Sequence, residues 1–82
     1  MNHDEVWNTL KRAILEIFPE YAEREIGFDE SLKALGANSV DRAEILMVTM
    51  ESLGLKVPMV EFSRATNIGE LVAILHRHSI KE

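Results

Sequence analysis

Hydrophobic residues recur at helical spacing in three stretches of the chain, separated by segments where Gly, Pro and charged residues break the pattern. In the first stretch Val6, Leu10, Ala13, Ile14 and Ile17 share one face at the 3.6-residue period, with Trp7 and Phe18 beside them. Asn2 or Asp4 supplies an N-cap and Pro19 a stop, so the spacing predicts a helix over about residues 4–18. Residues 19–37 hold Gly27, Gly36 and scattered acids, with Leu32 and Leu35 as apolar anchors. They read as a long loop with one short helical turn around residues 32–35, and a loop of that length in a small domain is often functional.

Ser39 opens the longest periodic run, residues 40–53, which Gly54 closes. Serine is a favoured N-cap, and glycine fits the position just past a helix C-terminus. Pro58 bars continuation and leaves residues 55–58 extended, before a short helix over 59–64. Thr66 or Asn67 then caps a last helix carrying Ile68, Leu71, Val72 and Leu75. No stretch alternates at period two, so no strand is expected. The expectation is an all-α fold, a small four-helix bundle of three main helices plus one short helix, in a single domain over residues 1–82.

Composition narrows the function. With 9 Lys+Arg against 14 Asp+Glu the net charge is -5, which argues against a nucleic-acid partner and favours a partner with a basic surface. Cysteine is absent, so any thiol chemistry must arrive on a cofactor. No apolar run approaches a membrane span, and the polar start MNHDEVWNTL is no signal peptide; a cytoplasmic protein is the default.

On the middle helix Ile45, Leu46, Thr49, Met50 and Leu53 gather on one side. Val40, Glu44, Met47 and Glu51, spaced four, three and four apart, line the opposite side with Asp41 at the edge. Two apolar residues alternating with two acids resemble a docking surface, although periodicity by itself favours scattered surface hydrophobes. Arg42 points nearer the core side, its stem packing and its head reaching water. Ile45, Leu46 and Leu53 face Leu71, Val72 and Leu75, which predicts a cleft between these helices that holds short acyl chains loosely.

Ser39 admits two roles, a helix cap or an exposed hydroxyl where the helix N-terminus favours an attached phosphate. A catalytic role is disfavoured: there is no G-x-S-x-G elbow, and histidine occurs only at His3, His76 and His78. His76 and His78, two apart, point in different directions and read as solvated helix-end residues, not a metal chelate. Asp29, Glu30 and Asn38 lack the spacing of a calcium loop. Met47, Met50 and Met59 read as gap fillers or soft contacts. No enzymatic activity and no metal site are expected.

The segment LGANSVDRAEILM, residues 35–47, resembles the acyl carrier protein signature, a loop ending L-G-x-D-S before an acidic amphipathic helix. The resemblance continues through Leu53, the KVP of residues 56–58 and the final helix beginning TNIGEL, and so spans essentially the whole chain. It implies that Ser39 carries 4'-phosphopantetheine, transferred covalently from coenzyme A by a phosphopantetheinyl transferase, with acyl groups held as thioesters on the arm. The usual Asp before the serine is Asn38 here, which keeps a hydrogen-bond acceptor but loses a charge and alters modifying-enzyme preference. The runs NSVDRAEI, KVPMVEF and TNIGEL look like free-standing donor carriers of polyketide β-branching cassettes. That finer resemblance implies acetyl or malonyl cargo and three partners: an acyltransferase, a decarboxylase and a hydroxymethylglutaryl-synthase-like enzyme. It also implies a bacterial protein. A monomer is expected, and its docking residues are the stripe of Val40, Glu44, Met47 and Glu51 with Asp41 at its edge, because the stripe starts beside Ser39; the resemblance adds Arg42, as distinguishing this carrier from others in the same pathway. A fatty-acid or peptidyl carrier, and a cofactor-free helical interaction domain with Ser39 only a cap, remain alternatives; a hydrolase is a distant third. The start at Met1 favours a free-standing chain over a piece of a megasynthase.

Overall fold

In the computed structural model, which describes residues 2–79, the elements run α1 (His3–Ile17), a 3₁₀ helix (Pro19–Glu23), α2 (Ser39–Leu53), α3 (Met59–Phe62) and α4 (Ile68–Ser79). There is no strand among the described residues, so the all-α expectation holds. α1 begins where Asn2 caps it: the Asn2 side chain accepts the Glu5 N–H at 2.8 Å, and Glu5 reaches back to the Asn2 N–H. It ends at Phe18, whose N–H still bonds Ile14 O, because Pro19 cannot continue the ladder.

Val6, Leu10, Ala13 and Ile14 of α1 are buried, against Ile45, Leu46, Thr49 and Met50 of α2 and Ile68, Leu71, Val72 and Leu75 of α4. Thr49 is the polar member of that core, and its hydroxyl donates to Ile45 O at 2.7 Å, which removes the cost of an unpaired buried oxygen. α1 is the hub: α2 and α4 pack chiefly on it and little on each other. The cleft expected where Ile45, Leu46 and Leu53 oppose α4 is therefore displaced; Leu53 is only half-buried, and the groove that does open lies nearer the start of α2.

The long segment between α1 and α2 is ordered by specific bonds. Its first part forms the 3₁₀ helix, an element the sequence pattern missed because five residues carry no usable periodicity. The expected turn forms at residues 32–36, with Leu32 and Leu35 buried. Tyr21 Oη donates to Leu35 O at 2.6 Å and ties the two pieces together. Farther on, the N–H groups of Ile68 and Gly69 donate to the carbonyls of Glu30 and Phe28, at 2.8 and 2.9 Å, so the loop anchors the start of α4. Glu30 also takes two bonds from Arg24, at 2.7 and 3.1 Å, and the Gly27 N–H at 2.7 Å. These donors hold its carboxyl below the usual carboxylate range, the Arg24 bond being the larger cause.

Gly54 closes α2 in the left-handed region, φ 70°, and lets Leu55 N–H return to Met50 O at 2.9 Å. α3 is shorter than the pattern predicts, one turn from Met59 to Phe62, and its Phe62 ring is buried. Asn67 caps α4, accepting the Glu70 N–H at 2.8 Å. The histidines of α4 are not solvated helix-end residues. Both are half-buried: His76 meets the His3 ring edge-on at 5.9 Å between centroids, and His78 Nε2 lies 2.9 Å from Glu61 on α3. Helical spacing placed them near a polar end, but α3 and the chain start pack over that end.

Candidate functional site

Ser39 is the first residue of α2, and it is exposed. It is not the cap. Asn38 holds that position: its side-chain oxygen accepts the Asp41 N–H at 2.8 Å, and Asp41 Oδ2 accepts the Asn38 N–H at 3.2 Å. Both residues fit a helix start by type; the extended backbone of Asn38, φ -80° and ψ -178°, decides which one caps. The Ser39 hydroxyl thus stands at the positive end of α2 with no role in the capping box, where an attached anion is favoured. Behind it the turn at residues 32–36 ends on Gly36, at φ 103°, and Ala37 is buried, which fixes the loop that presents the serine.

Arg42 reinforces that loop. Its Nη1 donates to Ala37 O at 2.8 Å, so its head is bonded to backbone and half-buried rather than reaching freely into water. Ser39 and Arg42 open onto one groove of about 660 Å³, with Lys33 at its rim and Leu46, Phe62 and Leu71 among its apolar walls. None of the described residues lining it is a carboxylate. An exposed hydroxyl beside a partly apolar, cation-bearing groove is a site that fits a covalently attached phosphate-bearing arm.

The expected docking stripe is a surface. Val40 is 70% exposed and Met47 59%, with Glu44 and Glu51 exposed between and beyond them. Asp41 is half-buried and its carboxylate serves the capping box, so the charge it shows outward is partly committed. The structure extends the stripe in a direction the helix spacing did not give. A second groove, about 490 Å³, runs between Met47, Met50, Leu55, Val57 and Pro58, and Val60 on α3 is 72% exposed. Two consecutive apolar residues after Pro58 were the available signal, but in a one-turn helix periodicity cannot say which face water sees. Among the described residues no three His, Asp or Glu side chains converge to hold a metal, and no helix is long and apolar enough to cross a membrane.

Three comparisons bear on this site. The family model for the phosphopantetheine attachment site matches residues 8–75. The chain is 40% identical over 76 residues to the polyketide biosynthesis acyl-carrier-protein AcpK of Bacillus subtilis (strain 168), covering 93% of each. It is 33% identical over 72 residues to hispidin synthase of Neonothopanus nambi, where the match covers 88% of this chain but 4% of that protein. Among solved structures it matches a chain from the crystal structure of the curacin biosynthetic pathway HMG synthase in complex with acetyl donor-ACP. That match has a TM-score of 0.83 and 41% identity, and covers 92% of this chain and 96% of the other.

Proposed function

Since the chain belongs to the phosphopantetheine-attachment family of acyl carrier proteins, we propose that Ser39 is its attachment residue and that it delivers acetyl or malonyl groups in polyketide β-branching. The cofactor is 4'-phosphopantetheine, joined covalently, and it supplies the thiol on which acyl groups ride as thioesters. What this chain's own residues do is present and position. Asn38 and Asp41 close the helix end, Arg42 and Tyr21 brace the loop, and the Ser39 hydroxyl is left exposed for a phosphopantetheinyl transferase.

The observation that carries the reading is the placement of an exposed serine at the first position of α2, beside a groove lined by cations and apolar side chains. The likeness to an acetyl donor carrier bound by an HMG synthase supports a hydroxymethylglutaryl-synthase-like partner. An acyltransferase and a decarboxylase are the other enzymes such a cargo requires. Residues 1–82 act as one carrier domain, monomeric and cytoplasmic. Incubation with coenzyme A and a permissive phosphopantetheinyl transferase, followed by intact mass, tests the assignment. One phosphopantetheinyl group should add to the wild type and none to Ser39→Ala. No gain on the wild type would instead mark a cofactor-free interaction domain.

A further inference from the structure

From the groove beside Ser39 we infer that Arg42, with Lys33, forms an anion site for the phosphodiester at the base of the arm, setting the direction in which the arm leaves the helix. This rests on Ser39 being the attachment residue. Residues three apart on a helix are surface neighbours, and Ser39 and Arg42 line the same groove. The guanidinium is held by its bond to Ala37 O, which uses one of five donors in a planar fork. A held fork is the geometry that binds a phosphate oxygen pair, and holding it beforehand lowers the entropy lost on binding. Lys33 brings a second cation to the groove from the turn at residues 32–36.

The distribution of charge supports the same occupant. The chain carries 14 acids against 9 bases, yet the described residues lining this groove include two cations and no carboxylate. Asp41, close in sequence, has its carboxylate on the Asn38 N–H, and Glu44 and Glu51 line a different hollow on the exposed stripe. The first-turn N–H groups of α2 add positive potential at the same end. Beyond the cations, Leu46, Phe62 and Leu71 offer an apolar wall along which a mostly aliphatic arm can lie. A phosphodiester carries one negative charge at neutral pH, which complements the two cations. Arg42 is in this account a positioning residue: it fixes the base of the arm and leaves the acidic stripe to face partner enzymes.

The competing account makes Arg42 only a brace for the loop through Ala37, and apo and holo protein separate the two. The holo form is first verified by mass. Its ³¹P resonance at low salt should differ from that of a short phosphopantetheinyl-serine peptide, a phosphodiester with no protein fold around it, and move toward that free value as salt rises. Arg42→Gln should bring it near the free value, Arg42→Lys should restore part of the shift, and Lys33→Gln should shift it less. Thermal melting adds a second readout: Arg42→Gln should lower the holo melting temperature more than the apo, by about 2–4 °C at low salt. A wild-type ³¹P resonance identical to that of the free diester peptide, or equal losses in apo and holo, overturns the proposal and leaves Arg42 a brace. Absence of any mass gain on the wild type overturns the attachment reading and this one with it, whereas a normal mass gain with an unshifted resonance overturns only this one.

Discussion

Asn38 closes α2 through a reciprocal pair of bonds with Asp41, and the neighbouring Ser39 hydroxyl takes no part in holding the helix end. Ser39→Ala should therefore abolish phosphopantetheinylation while changing stability by less than about 0.5 kcal/mol, the range of surface substitutions that remove no structural bond. Asn38→Ala removes the cap and should cost about 1 kcal/mol. Denaturant unfolding of the two variants, with intact mass on both, checks the division of labour. A Ser39→Ala protein that is still modified would move the attachment point elsewhere, and a Ser39→Ala loss as large as that of Asn38→Ala would return the capping role to the serine. Residue type alone left this pair undecided, since Ser and Asn are comparable caps. The backbone angle at one position separates them.

Among the elements, α2 presents Val40, Glu44, Met47 and Glu51 outward in a line, and the segment after α2 continues the apolar part through Leu55, Val57 and Pro58 in the groove beside Met47. Partner enzymes should read this stripe because it begins beside the proposed attachment residue. Exchanging Glu44 and Glu51 for Lys should leave the fold intact but slow acyl transfer to a basic partner, and the wild-type rate should fall more steeply with salt. Met47→Ala should weaken the complex without affecting modification of Ser39. Unchanged partner turnover at low salt in all three variants would place docking elsewhere, with the segment before α2 the next candidate. That segment has its own pH signature. Arg24 and the Gly27 N–H depress the Glu30 carboxyl, and a group whose folded pKa is lowered contributes stability that is present above its unfolded pKa and lost as pH falls through the folded one. Glu30→Gln should thus flatten the loss of stability as pH falls through and below about 4, the usual carboxylate range. Superimposable acid-unfolding curves, followed by circular dichroism, would show that the Arg24–Glu30 pair is too solvated to matter.

The whole molecule, 35 × 23 × 21 Å, is built on α1, with α2 and α4 packed against it and α3 closing one side of the groove that starts at Ser39. A two-carbon cargo is small beside a groove of about 660 Å³, so it gains few new contacts there. Acetyl-loaded protein should melt within about 2 °C of the unloaded holo form, the equivalent of under about 0.5 kcal/mol for a domain of this size. A markedly higher melting temperature on acetylation would mean that the acyl group is enclosed. The apolar period determined three helices, their buried faces and the ends set by Pro19 and Gly54, because helix formation and its termination depend on residues within a few positions of one another. The order of serine, acidic helix, proline loop and closing helix determined the family by resemblance. What sequence spacing could not carry was contact outside the helical period, between distant segments or from a helix back onto its loop. The 3₁₀ helix docked by Tyr21, the pairing of His78 with Glu61, the bond from Arg42 back to Ala37, and the place of the groove each depend on which surfaces meet. Those meetings are set by the packing of α3 on α4 and by the bonds that dock the long loop, where no local period reaches, and only the tertiary structure decided them.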